Sequence, residues 1–164
     1  MISIPAEQIK KMLSYDPKTG IFTWLIKPNR RVRIGDIAGF RRPDGYLIIK
    51  LNKVAYRAHR LAWVYMTGAE PMYDIDHIDG NPTNDSFSNL RDVTTAQNIQ
   101  NQRKAHARNK NGFLGVSWHA VGKCWRARIC VSGKQILLGY FKTPEEAHQA
   151  YVQAKRKHHH TCTI

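Results

Sequence analysis

An aspartate and a histidine stand side by side at Asp76 and His77, and two asparagines follow at Asn89 and Asn98. Imidazole is the side chain best suited to taking a proton from water near neutral pH. A carboxylate and an amide oxygen are the donors a hard divalent cation such as Mg²⁺ prefers, and two of them leave room for waters and a phosphate oxygen. The charge pattern points the same way. The stretch from Asp74 to Asn98 holds five of the twelve acidic residues and one of the twenty-six basic ones, so it carries −4 between flanks of +8 (residues 1–73) and +10 (residues 99–164). Basic flanks hold phosphates and an acidic island holds metal; the plainer alternative is a polar surface loop.

The elements that must position these groups are short. Alternation at Tyr73, Ile75 and His77 predicts a strand, which the Gly80-Asn81-Pro82 run turns, because Gly takes positive φ and Pro cannot donate to a ladder. A second short strand is expected near Leu90 to Val93. Thr94 with Gln97 three residues later has capping-box spacing, which predicts a helix start that places Asn98 in or just after its first turn. Strand, long loop, strand, helix is an order that can bring His77 and Asn98 together. One point resists: neighbours on a regular strand face opposite ways, so Asp76 and His77 cannot share a site unless the strand breaks there, or unless Asp79 is the carboxylate partner.

Taken together, DHIDGN (76–81 with its leading Asp), SNLR (88–91) and TTAQNIQN (94–101) resemble the HNH endonucleases, whose catalytic ββα-metal element carries His, then Asn, then His or Asn at such spacings. The resemblance implies that His77 is the general base and Asp76 and Asn98 the metal ligands. It also implies that Asn89 belongs to the catalytic set by tying the long loop down through its side chain. The family pattern favours Asp76 over Asp79. Asn rather than His at position 98 leaves only oxygen ligands, which argues for one Mg²⁺ (or Mn²⁺) per active site rather than zinc or nickel.

Composition fits a DNA-acting protein. The 164 residues suffice for one ordinary domain or two small ones, with 42% apolar content for a core. No apolar run approaches a membrane span, and the N-terminus lacks a signal-peptide layout. Three cysteines with no C-x-x-C pair indicate neither a disulfide framework nor a zinc knuckle, and a reducing cytoplasm fits, that of a bacterial host if the gene is phage-borne. A pI near 10 favours nucleic acid as partner.

The first third reads as a scaffold: a helix over Pro5 to Leu13, a turn at 15–20, a strand at 21–24, a hairpin at Asp44-Gly45, a strand at 46–51 and a helix over Ala58 to Thr67 with Leu61, Ala62 and Tyr65 facing a core. Arg30, Arg31 and Arg33 lie in a basic loop, read either as a solvated charge run or as a clamp on the DNA backbone. His59 is either a phosphate contact near the metal or a hydrogen-bonded histidine at a helix start. Segments YDPKTGIFTW, DGYLIIKL and HRLAWVY also resemble what precedes the catalytic element in phage and bacterial HNH proteins.

In the last third, strands are expected at Leu114 to His119, Trp125 to Val131 and Gln135 to Tyr140. A capped helix then begins at Thr143-Pro144-Glu145-Glu146. Alternation puts Arg126 and Arg128 on one face of the middle strand, opposite Trp125 and Ile129, so these arginines are the candidates for base or phosphate contacts. Gly115-Val116, Trp125-x-Ala127-x-Ile129, Gly139-Tyr140-Phe141 and the 143–151 segment resemble the APETALA2-type DNA-binding domain over about fifty residues. Leu114 and Ser117 depart from the arginines usual there, and Leu137 from a tryptophan. That resemblance implies the fold and leaves the target sequence open.

The expected architecture is therefore α+β. An HNH nuclease domain occupies 1–105 (scaffold 1–72, ββα-metal core 73–105), a linker 106–112, and a three-stranded antiparallel sheet on one helix 113–164. The expected activity is metal-dependent cleavage of double-stranded DNA of the homing type. A monomer would nick, a weak dimer would cut both strands, and neither a membrane nor a small-molecule cofactor is involved. A DNA-binding regulator with a catalytically retired HNH fold is the alternative. An RNA-binding module is weakened by the lack of an aromatic pair of the type RNA-recognition sheets use.

Overall fold

The computed structural model describes residues 4–102, 105, 109 and 111–159. The chain divides into two compact units, Met1–Thr95 and Ala96–Ile164. Most of the expected linker at 106–112, and the end of the terminal histidine run, lie outside the described residues. Among the described residues no helix is long and apolar enough to cross a membrane.

The first unit opens with α1 (Ala6–Met12), one residue shorter than expected at its end because Leu13 already pairs with Trp24. Strands β1 (Leu13–Asp16) and β2 (Ile21–Trp24) form a hairpin whose turn is fixed by the Asp16 carboxylate. That group accepts from the Lys18 amide (2.9 Å) and the Thr19 hydroxyl (2.7 Å). A three-stranded antiparallel sheet follows, in the order β3 (Phe40–Arg41), β4 (Leu47–Leu51), β5 (Val54–Arg57). The Asp44-Gly45 turn expected between β3 and β4 is present, with Gly45 at φ +90°. Helix α2 (Ala58–Thr67) runs directly on from β5 and ends on Gly68 in the left-handed conformation.

The core of this unit gathers Ile9 and Leu13, Tyr15, Phe22 and Trp24 from the hairpin, Ile49 and Leu51 from β4, Leu61, Ala62 and Val64 from α2, and Ile75 and Leu90. The last two belong to the antiparallel pair β6 (Asp74–His77) and β7 (Leu90–Val93), so the pair that carries the motif residues is anchored in the core. A single 3₁₀ turn, Phe87–Asn89, leads into β7, and α3 (Thr95–Gln100) follows it. The Asp92 carboxylate accepts from the amides of Met72 and Tyr73 (2.7 and 2.9 Å), fixing the entry to β6.

The second unit contains β8 (Val116–His119), β9 (Cys124–Val131) and β10 (Lys134–Phe141), antiparallel in the order β10-β9-β8, with α4 (Pro144–His158) against them. Val116, Ala127 and Ala147 form its small core with Phe113, Trp125, Leu138 and Phe141. Thr143 caps α4 by accepting from the Glu146 amide (3.3 Å), with Pro144 at the first helical position. Gly115 packs directly under the Tyr151 ring, where a β-carbon would collide. The fold is thus α+β, an HNH-like region followed by a three-stranded sheet on a helix.

Candidate active site

His77 is the last residue of β6 and is buried, opposite Leu90 across the ladder. Its Nε2 lies 3.0 Å from Oδ1 of Asp85, itself 2% exposed. His59, one residue into α2, completes a group whose three ligand atoms all lie within 4.8 Å of one another. The His59 and His77 rings meet edge to face at 5.1 Å, and Tyr46 lies 5.5 and 6.0 Å from them. Over the Tyr46 ring, at 4.9 Å, sits the guanidinium of the exposed Arg57. Burial, then the neighbouring His77, Arg57 and Arg60, lower the His59 pKa to about 3, so its imidazole is neutral at ordinary pH.

Two buried atoms of this cluster, His59 Nδ1 and Asp85 Oδ2, have no hydrogen-bond partner among the described residues. Unsatisfied buried polar atoms are costly, and two on neighbouring side chains mark a place built for a further ligand. Two imidazoles and a carboxylate suit a divalent ion, so His59, His77 and Asp85 form a cluster capable of coordinating one.

The carboxylate beside His77 is therefore neither of the two expected from the sequence. Strand β6 stays regular through His77, with Asp76 opposite Arg91 in register, so of the two alternatives the strand break does not occur, and alternation turns Asp76 to the other face. There Asp76 Oδ2 accepts from Nε and Nη2 of Arg91, at 3.0 and 2.8 Å. Asp79 is engaged in the loop. Its Oδ1 accepts from the Asn81 amide (2.8 Å) and from Asn89 Nδ2 (3.0 Å), and its Oδ2 accepts from Asn84 Nδ2 (2.7 Å). Burial acts to raise the Asp79 pKa, but these hydrogen bonds and nearby His77 outweigh it and hold the group below the usual carboxylate value.

Asn89 ties the loop to the strands. Its Oδ1 accepts from the Asp79 amide (3.0 Å), and its Nδ2 donates to Asp79 and to the Asn84 carbonyl (2.8 Å). What fixes Asp85 lies farther away in sequence. The Tyr15 hydroxyl donates to the Asp85 carbonyl (2.7 Å), and the Phe87 amide donates to the Pro17 carbonyl (2.9 Å). Burial, then the Asp85 and Asp16 carboxylates, push the Tyr15 phenol far above its ordinary pKa, so it remains a donor. Gly20, at φ +75°, presses on the same segment: a β-carbon there would stand 2.5 Å from the Ser86 amide nitrogen and closer still to the Asp85 carbonyl carbon. On the other flank, Arg41 donates to the Gly45 and Thr83 carbonyls (3.0 and 3.1 Å).

The remaining sequence candidates are on other elements. Asn98 is on α3, in the second compact unit. Arg30, Arg31 and Arg33 are exposed in the loop after β2. Arg126 and Arg128 alternate on β9 with buried Ala127 and Ile129, hence on the sheet face away from that core. Arg126 approaches the Ser117 hydroxyl (3.4 Å) and Arg128 donates to Gln135 (2.9 Å). Tyr46 and Arg57 were not legible as site residues, because only the return of β4 and β5 onto α2 brings them to the histidines.

Residues 56–100 match the family model described as HNH endonuclease. That segment contains both histidines, Asp85, Asn89 and Asn98, and it stops short of the second unit's sheet. The chain is also 40% identical over 82 residues to Protein 3.8 of Escherichia phage T7, spanning 49% of this chain and 67% of that protein. The chain therefore belongs to the same family as Protein 3.8, and residues 56–100 are its HNH-type nuclease domain. No solved structure matches it. The nuclease-type domain and its His/Asp cluster support a metal-dependent nuclease in general terms.

Proposed function

We propose that this protein is a metal-dependent DNA endonuclease of the homing type that hydrolyses phosphodiester bonds, nicking as a monomer. The observation that carries the reading is the buried His59–His77–Asp85 cluster inside the segment that matches the HNH endonuclease model. In this reading His77 takes the proton of the attacking water, Asn89 holds the loop that carries Asp85, and Asp76 with Asn98 holds one Mg²⁺ (or Mn²⁺). A bound divalent ion would supply charge neutralisation at the scissile phosphate and the leaving oxygen. Arg57, exposed over Tyr46, is suited to hold a phosphate at the mouth of the site.

Two sets of residues could hold the ion. The resemblance favours Asp76 and Asn98, whereas the unsatisfied atoms favour His59, His77 and Asp85. Supercoiled plasmid bound without divalent metal and then given Mg²⁺ should convert to nicked circles, and EDTA should prevent it. If Asp76 and Asn98 hold the ion, Asn98→Ala raises the Mg²⁺ concentration needed for half-maximal rate and His59→Gln leaves it within about twofold. The reverse pattern assigns the ion to the histidine cluster. The second reading, a DNA-binding regulator whose site is retired, is favoured by the Arg91–Asp76 pair, which occupies a carboxylate the chemistry needs. Binding without conversion at any Mg²⁺ concentration would establish it.

The second unit is read as the APETALA2-type DNA-binding part, with its own free sheet face as the reader. Arg126→Ala and Arg128→Ala separate two roles by competition binding against single-base variants of a preferred duplex. A base-reading arginine costs about 1 to 3 kcal/mol at one position of the site. A phosphate contact instead weakens all sequences alike and flattens the log-affinity against log-salt slope by about 0.9. Arg30, Arg31 and Arg33 are expected to behave only in the second way.

A further inference from the structure

The geometry points to Asp85 as a positioning residue for His77, a carboxylate that sets which ring nitrogen of the base carries the proton. The inference rests on the nuclease reading above and deepens it. A neutral imidazole holds one N–H and one lone pair, and the hydrogen bond made by one nitrogen decides the role of the other. Asp85 Oδ1 stands 3.0 Å from His77 Nε2, and a carboxylate without a proton can only accept. Nε2 is therefore the donor, and Nδ1 carries the lone pair that accepts a proton from water. Both partners are buried, where such a bond is strengthened by the low dielectric and its loss is expensive.

Asp85 is itself held independently of His77. The Tyr15 hydroxyl on its carbonyl, the neighbouring Phe87–Pro17 bond and the close approach of Gly20 all fix its backbone from the β1–β2 hairpin. A carboxylate whose only hydrogen bond among the described residues goes to a histidine, mounted on a rigid backbone, is an orienting device rather than a loop brace. The bracing in this loop is done by Asp79, which binds three loop groups and no ring nitrogen.

The test compares wild type with Asp85→Asn, Asp85→Leu and Asp85→Ala, as full-length protein treated with EDTA so that no ion lies between the side chains. Nitrogen-15 long-range spectra of the His77 ring read the tautomer without any need for activity. Wild type should show the proton on Nε2. Among the described residues nothing holds the second oxygen position, so an asparagine can turn its amide oxygen toward His77. Asp85→Asn should therefore keep the Nε2–H form, while leucine and alanine remove that constraint and shift the tautomer population away from it.

Single-turnover plasmid nicking with Mg²⁺ restored should follow the same order. A loss of about 10- to 100-fold is expected for leucine and alanine, the size seen when a histidine loses its orienting partner. Most of that loss should be recovered in asparagine, and DNA affinity should be unchanged throughout. A space-filling role predicts the opposite, with leucine at least as active as asparagine. That result, or one tautomer shared by all four proteins, would overturn the assignment. A wild type that binds DNA without cutting it would overturn the nuclease reading and the positioning role of Asp85 in cleavage together, while the spectra would still say whether the carboxylate sets the ring.

Discussion

Gly20→Ala is expected to lower the melting temperature of the first unit by roughly 10 °C or more and to reduce cleavage of DNA at temperatures where the fold survives. Two costs add. At φ +75° a β-carbon is strained by about 1 to 2 kcal/mol even in open space. It would also meet backbone atoms of Asp85 and Ser86, which cannot turn aside as a flexible side chain can. For a unit of this size about 1 kcal/mol corresponds to roughly 4 to 8 °C. Gly35→Ala is the control, since Gly35 has φ +89° with nothing near its absent β-carbon. It should show the backbone cost alone. The difference between the two variants, read by calorimetry, is the cost of displacing the Asp85 segment. Equal melting temperatures would mean that the hairpin does not brace the site.

Much of the fold was legible because its signals are local. The span of α2, the Asp-Gly turn and the capped start of α4 follow from periodicity, glycine placement and capping chemistry, and all are present. The strand pair around the motif was legible for the same reason, from alternation at Ile75 and His77 and from the turn residues between. The partner of His77 was not. Asp85 is one of five acidic residues in a short stretch, and spacing alone gives it no priority over Asp76 or Asp79. What selects it is tertiary: the β1–β2 hairpin holds its backbone, while Arg91 and the loop amides take the other two carboxylates. His59 presented two alternatives in the sequence, and only the packing of α2 against β6 sets it beside His77.

Asp76 also shows how a pattern can be right about alternation and still leave a role undecided. The expectation that neighbours on a regular strand diverge is met, and cross-strand pairing then delivers Arg91 to Asp76. Any ion bound by Asp76 has to share it with that guanidinium. The Arg91–Asp76 pair is therefore the feature by which the working and the retired readings of this site differ most.

The most direct measurement is the single-turnover cleavage rate of His77→Ala beside wild type, on plasmid pre-bound at saturating protein and started with Mg²⁺. Removing a general base typically costs about 10² to 10⁴ in rate. His77 is buried at the end of β6 and faces Asp85 and His59, so its loss should remove little direct contact with phosphate. The expected result is a rate lower by that factor with DNA affinity within about twofold of wild type and melting behaviour preserved. Cleavage within a few-fold of wild type, by a folded and equally DNA-bound His77→Ala protein, would place the chemistry elsewhere and contradict the account.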